Sequence, residues 1–202
     1  GVFYVQQKPG DVLFLSAADT DLYILNKVYK KLYAENKELP SLRLANLTYF
    51  KQELTVDTYI EEVVSKAKVV VLKLLGGTAY FPYLCEAISY YAEENNIQLI
   101  FMPGDDKPEL ELMQLSTLPL REVDIIWKYL MAGGAENTEE GLKKILKSTL
   151  GVDFQIKEKI NTPELFLFHP KEGVLTTNFK PINQPLVIIF GYRSYFLAGN
   201  LD

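Results

Sequence analysis

The run Val69-Val-Val-Leu-Lys-Leu-Leu75, closed by Gly76-Gly77, decides the fold. It is almost continuously apolar and β-branched at its start, the signature of a strand covered on both faces. Such a strand sits inside a parallel sheet, and parallel neighbours need crossover helices. The flanking sequence supplies them. Before the run, Val56, Tyr59, Ile60, Val63, Val64 and Ala67 share one helical face, while Asp57, Glu61, Glu62 and Lys66 share the other, with Thr55 expected as N-cap. After it, Pro82 suits the first turn of a helix whose apolar stripe is Leu84, Ala87, Ile88, Tyr91 and Ala92. A further strand, Ile97 to Met102, breaks at Pro103-Gly104.

Working outward, Asp11 to Ser16 reads as a first strand, and Asp19-Thr20-Asp21 places acid in the first turn of a helix carrying Leu22, Leu25, Val28, Tyr29 and Leu32. Ser41 to Leu47 is a second strand. This alternation predicts an α/β domain, a doubly wound, flavodoxin-like, mostly parallel sheet with helices on both faces. Leu186 to Phe190 repeats the buried-strand pattern and brings the expected total to about five strands. One domain is expected over residues 1–202, its core formed by 11–107 and 186–193. A helical insertion occupies about 108–150, with stripe residues Val123, Ile126, Trp127 and Leu130, and an irregular segment covers about 151–185. Opening with Gly1 rather than Met, and ending soon after its last strand, the chain reads as a fragment of a much larger subunit.

Composition narrows the function classes. The 202 residues are 48% apolar and 23% charged, which excludes disordered and low-complexity readings. A net charge of -5 without a Lys/Arg cluster argues against nucleic acid as partner. No apolar run is long enough to span a membrane. One cysteine, Cys85, allows no internal disulfide, so a reducing compartment is the default. The single histidine, His169, makes a poor metal site by itself, and no metal site is expected.

In an open parallel sheet, ligands sit beyond the carboxyl ends of the strands. The loops there lack familiar equipment. Ser16-Ala17-Ala18-Asp19 stands where a dinucleotide site needs G-x-G-x-x-G; no phosphate loop, no G-x-S-x-G elbow and no D-x-H-x-x-G occurs, and Leu75 stands where a receiver domain has its Asp. No catalytic residue is expected. Candidate binding residues are Ser16, Asp19, Gly76, Gly77, Tyr80, Tyr83, Asp105, Asp106 and Arg193. The two glycines could open backbone N–H groups to an anion or simply allow a tight turn. Asp105 and Asp106 could bind a cation or cap a turn, Arg193 could clamp a carboxylate or pair with a loop acid, and Tyr80 and Tyr83 could stack on a flat ligand or pack the helix start.

At these loops the sequence resembles the family of large subunits of ATP-dependent cobaltochelatase (CobN), related to the magnesium chelatase large subunit. The phrases that carry the likeness are Leu15-Ser-Ala-Ala-Asp19, Leu39-Pro-Ser-Leu-Arg-Leu-Ala-Asn46 and Leu74-Leu-Gly-Gly-Thr-Ala-Tyr-Phe-Pro-Tyr83. Pro103-Gly-Asp-Asp106, Leu115-Ser-Thr-Leu-Pro119 and Gly191-Tyr-Arg-Ser194 join them. The resemblance implies the N-terminal portion of a cytoplasmic subunit that holds a corrinoid precursor while cobalt is inserted, in cobalamin biosynthesis. It implies as partners the rest of the same subunit, two smaller subunits including an AAA+ ATPase, and a corrinoid or porphyrin substrate. The complex would use ATP, Mg and Co, with none of these cofactors held by this segment. The segment would then be a substrate-enclosing or scaffolding lobe. The alternative is a free-standing flavodoxin-like small-ligand binding or sensor module.

Overall fold

A computed structural model describes residues 4–163, 165–169, 173–175, 189–192 and 196–197. The first strand, β1 (Val12–Ser16), is wholly buried, and helix α1 (Asp19–Glu35) follows it. Strand β2 (Leu42–Asn46) leads through a 3-10 turn to α2 (Glu53–Glu62), and β3 (Val69–Leu74) leads through a second 3-10 turn, Gly77–Tyr80, to α3 (Pro82–Asn95). Strand β4 (Gln98–Pro103) completes a parallel sheet of order β2-β1-β3-β4. This is the flavodoxin-like order, whose switch point lies between β1 and β3. Thr55 is not the cap of α2; the helix begins at Glu53, and Thr55 is buried in its first turn with its N–H bonded to the Gln52 carbonyl.

Alternation along the strands sorts the core into two layers. Leu13, Leu15, Val70 and Leu72 face one way and pack with Val56, Tyr59 and Ile60 of α2 and Leu84 and Ile88 of α3. Val12, Phe14, Val69 and Val71 face the other way and pack with Leu25 and Val28 of α1. Two further helices join that second layer: α5 (Leu120–Ala132) through Val123 and Ile126, and α6 (Gly134–Leu150) through Leu142 and Ile145. A short helix, α4 (Leu110–Met113), precedes them. The helices expected as an insertion thus complete the cover of one sheet face. Gly133 and Gly134, both at positive φ, let α6 start directly where α5 stops.

The sheet holds four strands among the described residues, and most of the expected fifth, Leu186 to Phe190, lies outside them. The outward N–H groups of β4 are already used: Leu99 N–H donates to Thr117 Oγ1 at 2.9 Å and Phe101 N–H donates to Ser116 Oγ at 2.8 Å. Thr117 N–H in turn donates to the Leu99 carbonyl. Residues 186–188 lie outside the described residues, while Ile189 and Phe190 are 88% and 94% exposed. The segment expected to be irregular also holds structure. A separate antiparallel pair forms from β5 (Leu167–His169) and β6 (Gly173–Leu175). Residues 151–163 belong to no sheet, yet Asn137 pairs with both the N–H and the carbonyl of Ile160, and Glu140 accepts from Lys157 N–H.

Candidate functional site

Because all four strands run the same way and end in register, their carboxyl ends form one rim. Ser16 lies beside Asn46 on one side and Lys73 on the other, and Lys73 lies beside Met102. By alternation this row faces the α1 layer, beneath the first turn of α1. There the polar groups satisfy one another. Asn46 Nδ2 donates to Asp19 Oδ1 at 2.6 Å, and its Oδ1 accepts from the N–H and hydroxyl of Thr48. Ser16 Oγ donates to Asp21 Oδ2 at 2.7 Å and accepts from Ala18 N–H. Lys73 Nζ reaches the same Asp21 oxygen at 2.8 Å.

Lys73 is only 6% exposed, and an ammonium so far from water requires a fixed counter-charge. Asp21 is that charge, placed by the first turn of α1 where the helix N-terminus also favours an acid. Sequence reasoning singled out Ser16 and Asp19 but missed Asp21, Asn46 and Lys73. The signal was present for Lys73: one Lys inside an otherwise apolar strand either faces solvent or has a buried partner.

Next to this cluster, the loop after β3 is closed by its own groups. Gly76 is left-handed at φ 76°, and the Tyr80 ring lies so close that a Cβ on Gly76 would meet it at 2.4 Å. A Cβ on Gly77 would come within 3.1 Å of a Glu109 carboxylate oxygen. A tyrosine ring thus lies against Gly76 and a carboxylate oxygen beside Gly77. The glycines serve the tight turn. Gly104, in the sequence no more than a strand stop, packs its α-carbon on the backbone of Leu74 and Leu75 and donates its N–H to the Leu74 carbonyl. That contact ties the β3 and β4 loops together.

The remaining candidates divide. Asp105 follows β4 and accepts from Lys107 N–H, a turn-forming role, and Asp106 is exposed beside it. Tyr83 does not join the rim: its hydroxyl donates to Asp57 Oδ1 at 2.7 Å, bridging α3 to α2, and that bond pushes its pKa up. Arg193 lies outside the described residues. The rim's outward surface carries Tyr49, Leu75, Tyr80 and Leu110, each at least half exposed, beside exposed polar residues such as Lys51, Asp106 and Lys107. Among the described residues no cluster of His, Cys, Asp and Glu could hold a metal ion, and no helix is long and apolar enough to cross a membrane.

No family model matches the chain. A curated protein of Pseudomonas aeruginosa, named aerobic cobaltochelatase subunit CobN, is 33% identical over 204 residues, covering 99% of this chain and 16% of the relative. A protein of the same name from Sinorhizobium sp is 38% identical over 131 residues, covering 65% of this chain and 10% of the relative. Among solved structures, the catalytic subunit of cobaltochelatase from Mycobacterium tuberculosis superposes with a TM-score of 0.67 at 23% identity, over 94% of this chain and 14% of that one. The chain thus spans less than a fifth of the length of each of these proteins.

Proposed function

The chain is a segment belonging to the CobN family of cobaltochelatase subunits, and from the character of its rim we propose that it is a scaffolding lobe for corrinoid metallation. In this reading the strand-end rim docks against the rest of the subunit and so shapes the wall of a chamber that holds the corrinoid precursor during cobalt insertion. The observation that carries it is the division of the rim into two kinds of surface. Ser16, Asp19, Asp21, Asn46 and Lys73 spend their polar groups on one another, whereas Tyr49, Leu75, Tyr80 and Leu110 are turned outward. Half-exposed large apolar side chains with polar residues among them suit burial against protein.

ATP binding falls to other chains in this proposal. Phosphate needs free backbone N–H groups or cations, and the Gly76-Gly77 turn offers a tyrosine ring and a carboxylate. The placement at the N-terminal end of the subunit, the AAA+ partner and the cytoplasmic setting are parts of the same proposal, implied by the family resemblance.

The test is a titration with a metal-free corrinoid followed by absorbance, on this chain and on the full-length subunit. A scaffolding lobe gives no spectral change alone, while the full subunit binds. Tyr80→Ser with Leu75→Ser then weakens corrinoid binding by the full subunit at least tenfold through loss of docking. Tight binding by the isolated chain would replace scaffolding with direct substrate contact, and an unchanged full-length double variant would overturn the rim's role.

A further inference from the structure

Away from the rim cluster, the outer surface of the α2–α3 layer carries a groove of about 600 Å³. Three tyrosines, Tyr83, Tyr90 and Tyr91, and three acids, Asp57, Glu61 and Glu86, line it, and no Lys or Arg does. Tyr90 is 69% exposed. The charge is one-sided well beyond the groove: α2 and α3 together hold seven carboxylates and no basic residue, although the chain as a whole carries 21 Lys and Arg against 26 acids. The bases sit on other elements, α1 and α6 in particular.

We propose that this groove docks an amphipathic helix of a separate protein chain, one that presents Leu- or Met-type side chains flanked by Lys or Arg. A furrow between two packed helices accepts a third helix along its length, with apolar anchors entering between the ridges. Exposed tyrosines supply large contact area at little entropic cost, and their ring faces attract ammonium and guanidinium groups. The carboxylates repel nucleic acid and anionic lipid, and they steer a cationic partner. The Tyr83–Asp57 bond between the two helices holds one end of the groove at fixed width before anything binds.

The inference does not rest on the chelatase reading, and its test is separate. The probe is a synthetic helical peptide with Leu at positions i, i+3, i+4 and i+7 and Lys and Arg on the flanks; the control is the same peptide with Glu replacing each base. Calorimetry on this chain is expected to give micromolar binding of the basic peptide, weakening at least fivefold from 50 to 300 mM salt, and none of the acidic one. Glu61→Lys with Glu86→Lys, both exposed positions, should weaken binding at least tenfold. Glu35→Lys with Glu38→Lys, equal in charge but near the end of α1, should change it less than twofold. Tyr90→Ala should also weaken it at least fivefold. Thermal melts establish that each variant is folded. Equal losses from the two charge-reversal pairs, or equal binding of both peptides, would mean diffuse charge and overturn the proposal. Self-association of the chain that is abolished by the Glu61/Glu86 pair would assign the groove to a second copy and overturn it as well.

Discussion

Lys73 Nζ and Asp21 Oδ2 lie 2.8 Å apart beneath the first turn of α1, and this pair joins the central strand to the helix that crosses over from its neighbour. Lys73 is nearly sealed from water while Asp21 keeps about a quarter of its side chain exposed. The two ends of the pair therefore differ in what their loss costs. Asp21→Asn leaves a buried ammonium without counter-charge and should cost about 3 kcal/mol. Lys73→Met removes the buried charge and leaves Asp21 partly hydrated, so it should cost about 1 kcal/mol or less. Urea midpoints of the two variants check the order; equal losses would mean that the pair is already solvated in the folded protein.

At the opposite end of the sheet, Asp11 is held by Lys68 at 2.9 Å and by the N–H and hydroxyl of Ser41 at 2.9 and 2.8 Å. The Lys68 hydrogen bond first, and the Ser41 bonds after it, bring its pKa from 3.8 down to about 2. A carboxyl depressed by folding contributes stability that is complete above its unfolded value near pH 4 and is lost as pH falls through about 2. With the side chain about a third exposed, the contribution is about 1–2 kcal/mol. Stability curves from pH 6 to pH 2 should therefore fall less steeply for Asp11→Asn than for the parent; parallel curves would refute the assignment.

Ser116 and Thr117 close the β4 edge with hydroxyl groups. Ser116→Ala strips Phe101 N–H of its partner, and Thr117→Val strips Leu99 N–H of one. Each should cost about 1–2 kcal/mol. Amide hydrogen exchange should accelerate at Phe101 in the first variant and at Leu99 in the second. The double variant, with an open edge strand, should aggregate at lower concentration than either single one. Unchanged exchange at both amides would contradict the edge-closing role.

Gly76 combines a left-handed backbone with a ring packed on its α-carbon. Gly76→Ala should cost about 1–2 kcal/mol. If the Tyr80 ring is the obstacle, adding Tyr80→Ala should recover part of that loss in thermal unfolding, leaving only the backbone strain. No recovery would locate the whole cost in φ.

How much was legible beforehand differs from element to element. The Val69 to Leu75 run and the stripes of α2 and α3 carry their periods in consecutive residues, so strand, helix and parallel order follow from short-range pattern. The CobN phrases also proved informative in a physical sense: Leu115-Ser-Thr-Leu-Pro119 contains the two hydroxyls that seal β4, and Pro103-Gly-Asp-Asp106 contains the glycine that lies on Leu74. Neither role is a local property. Leu186 to Phe190 has the composition of a buried strand, but residues 186–188 lie outside the described ones, and the β4 edge at Leu99 and Phe101 is met by hydroxyl groups instead. Tyr83 sits three residues past the 3-10 turn and still points to α2, because the turn of helix α3 rotates it away from Tyr80.

The amino-acid order alone determined the alternation of elements, the central place of Val69–Leu74, the lack of nucleotide-binding motifs and the likeness to CobN. Tertiary structure decided which groups meet: Asp21 with Lys73 across 52 positions, Asn137 with Ile160 across 23, and the hydroxyls of Ser116 and Thr117 with β4. The reason is the range of the forces. Hydrophobic periodicity is written over a few neighbouring residues, whereas the partner of a buried charge or of an edge N–H is set by packing that brings remote segments within 3 Å, and many sequences satisfy the first without specifying the second.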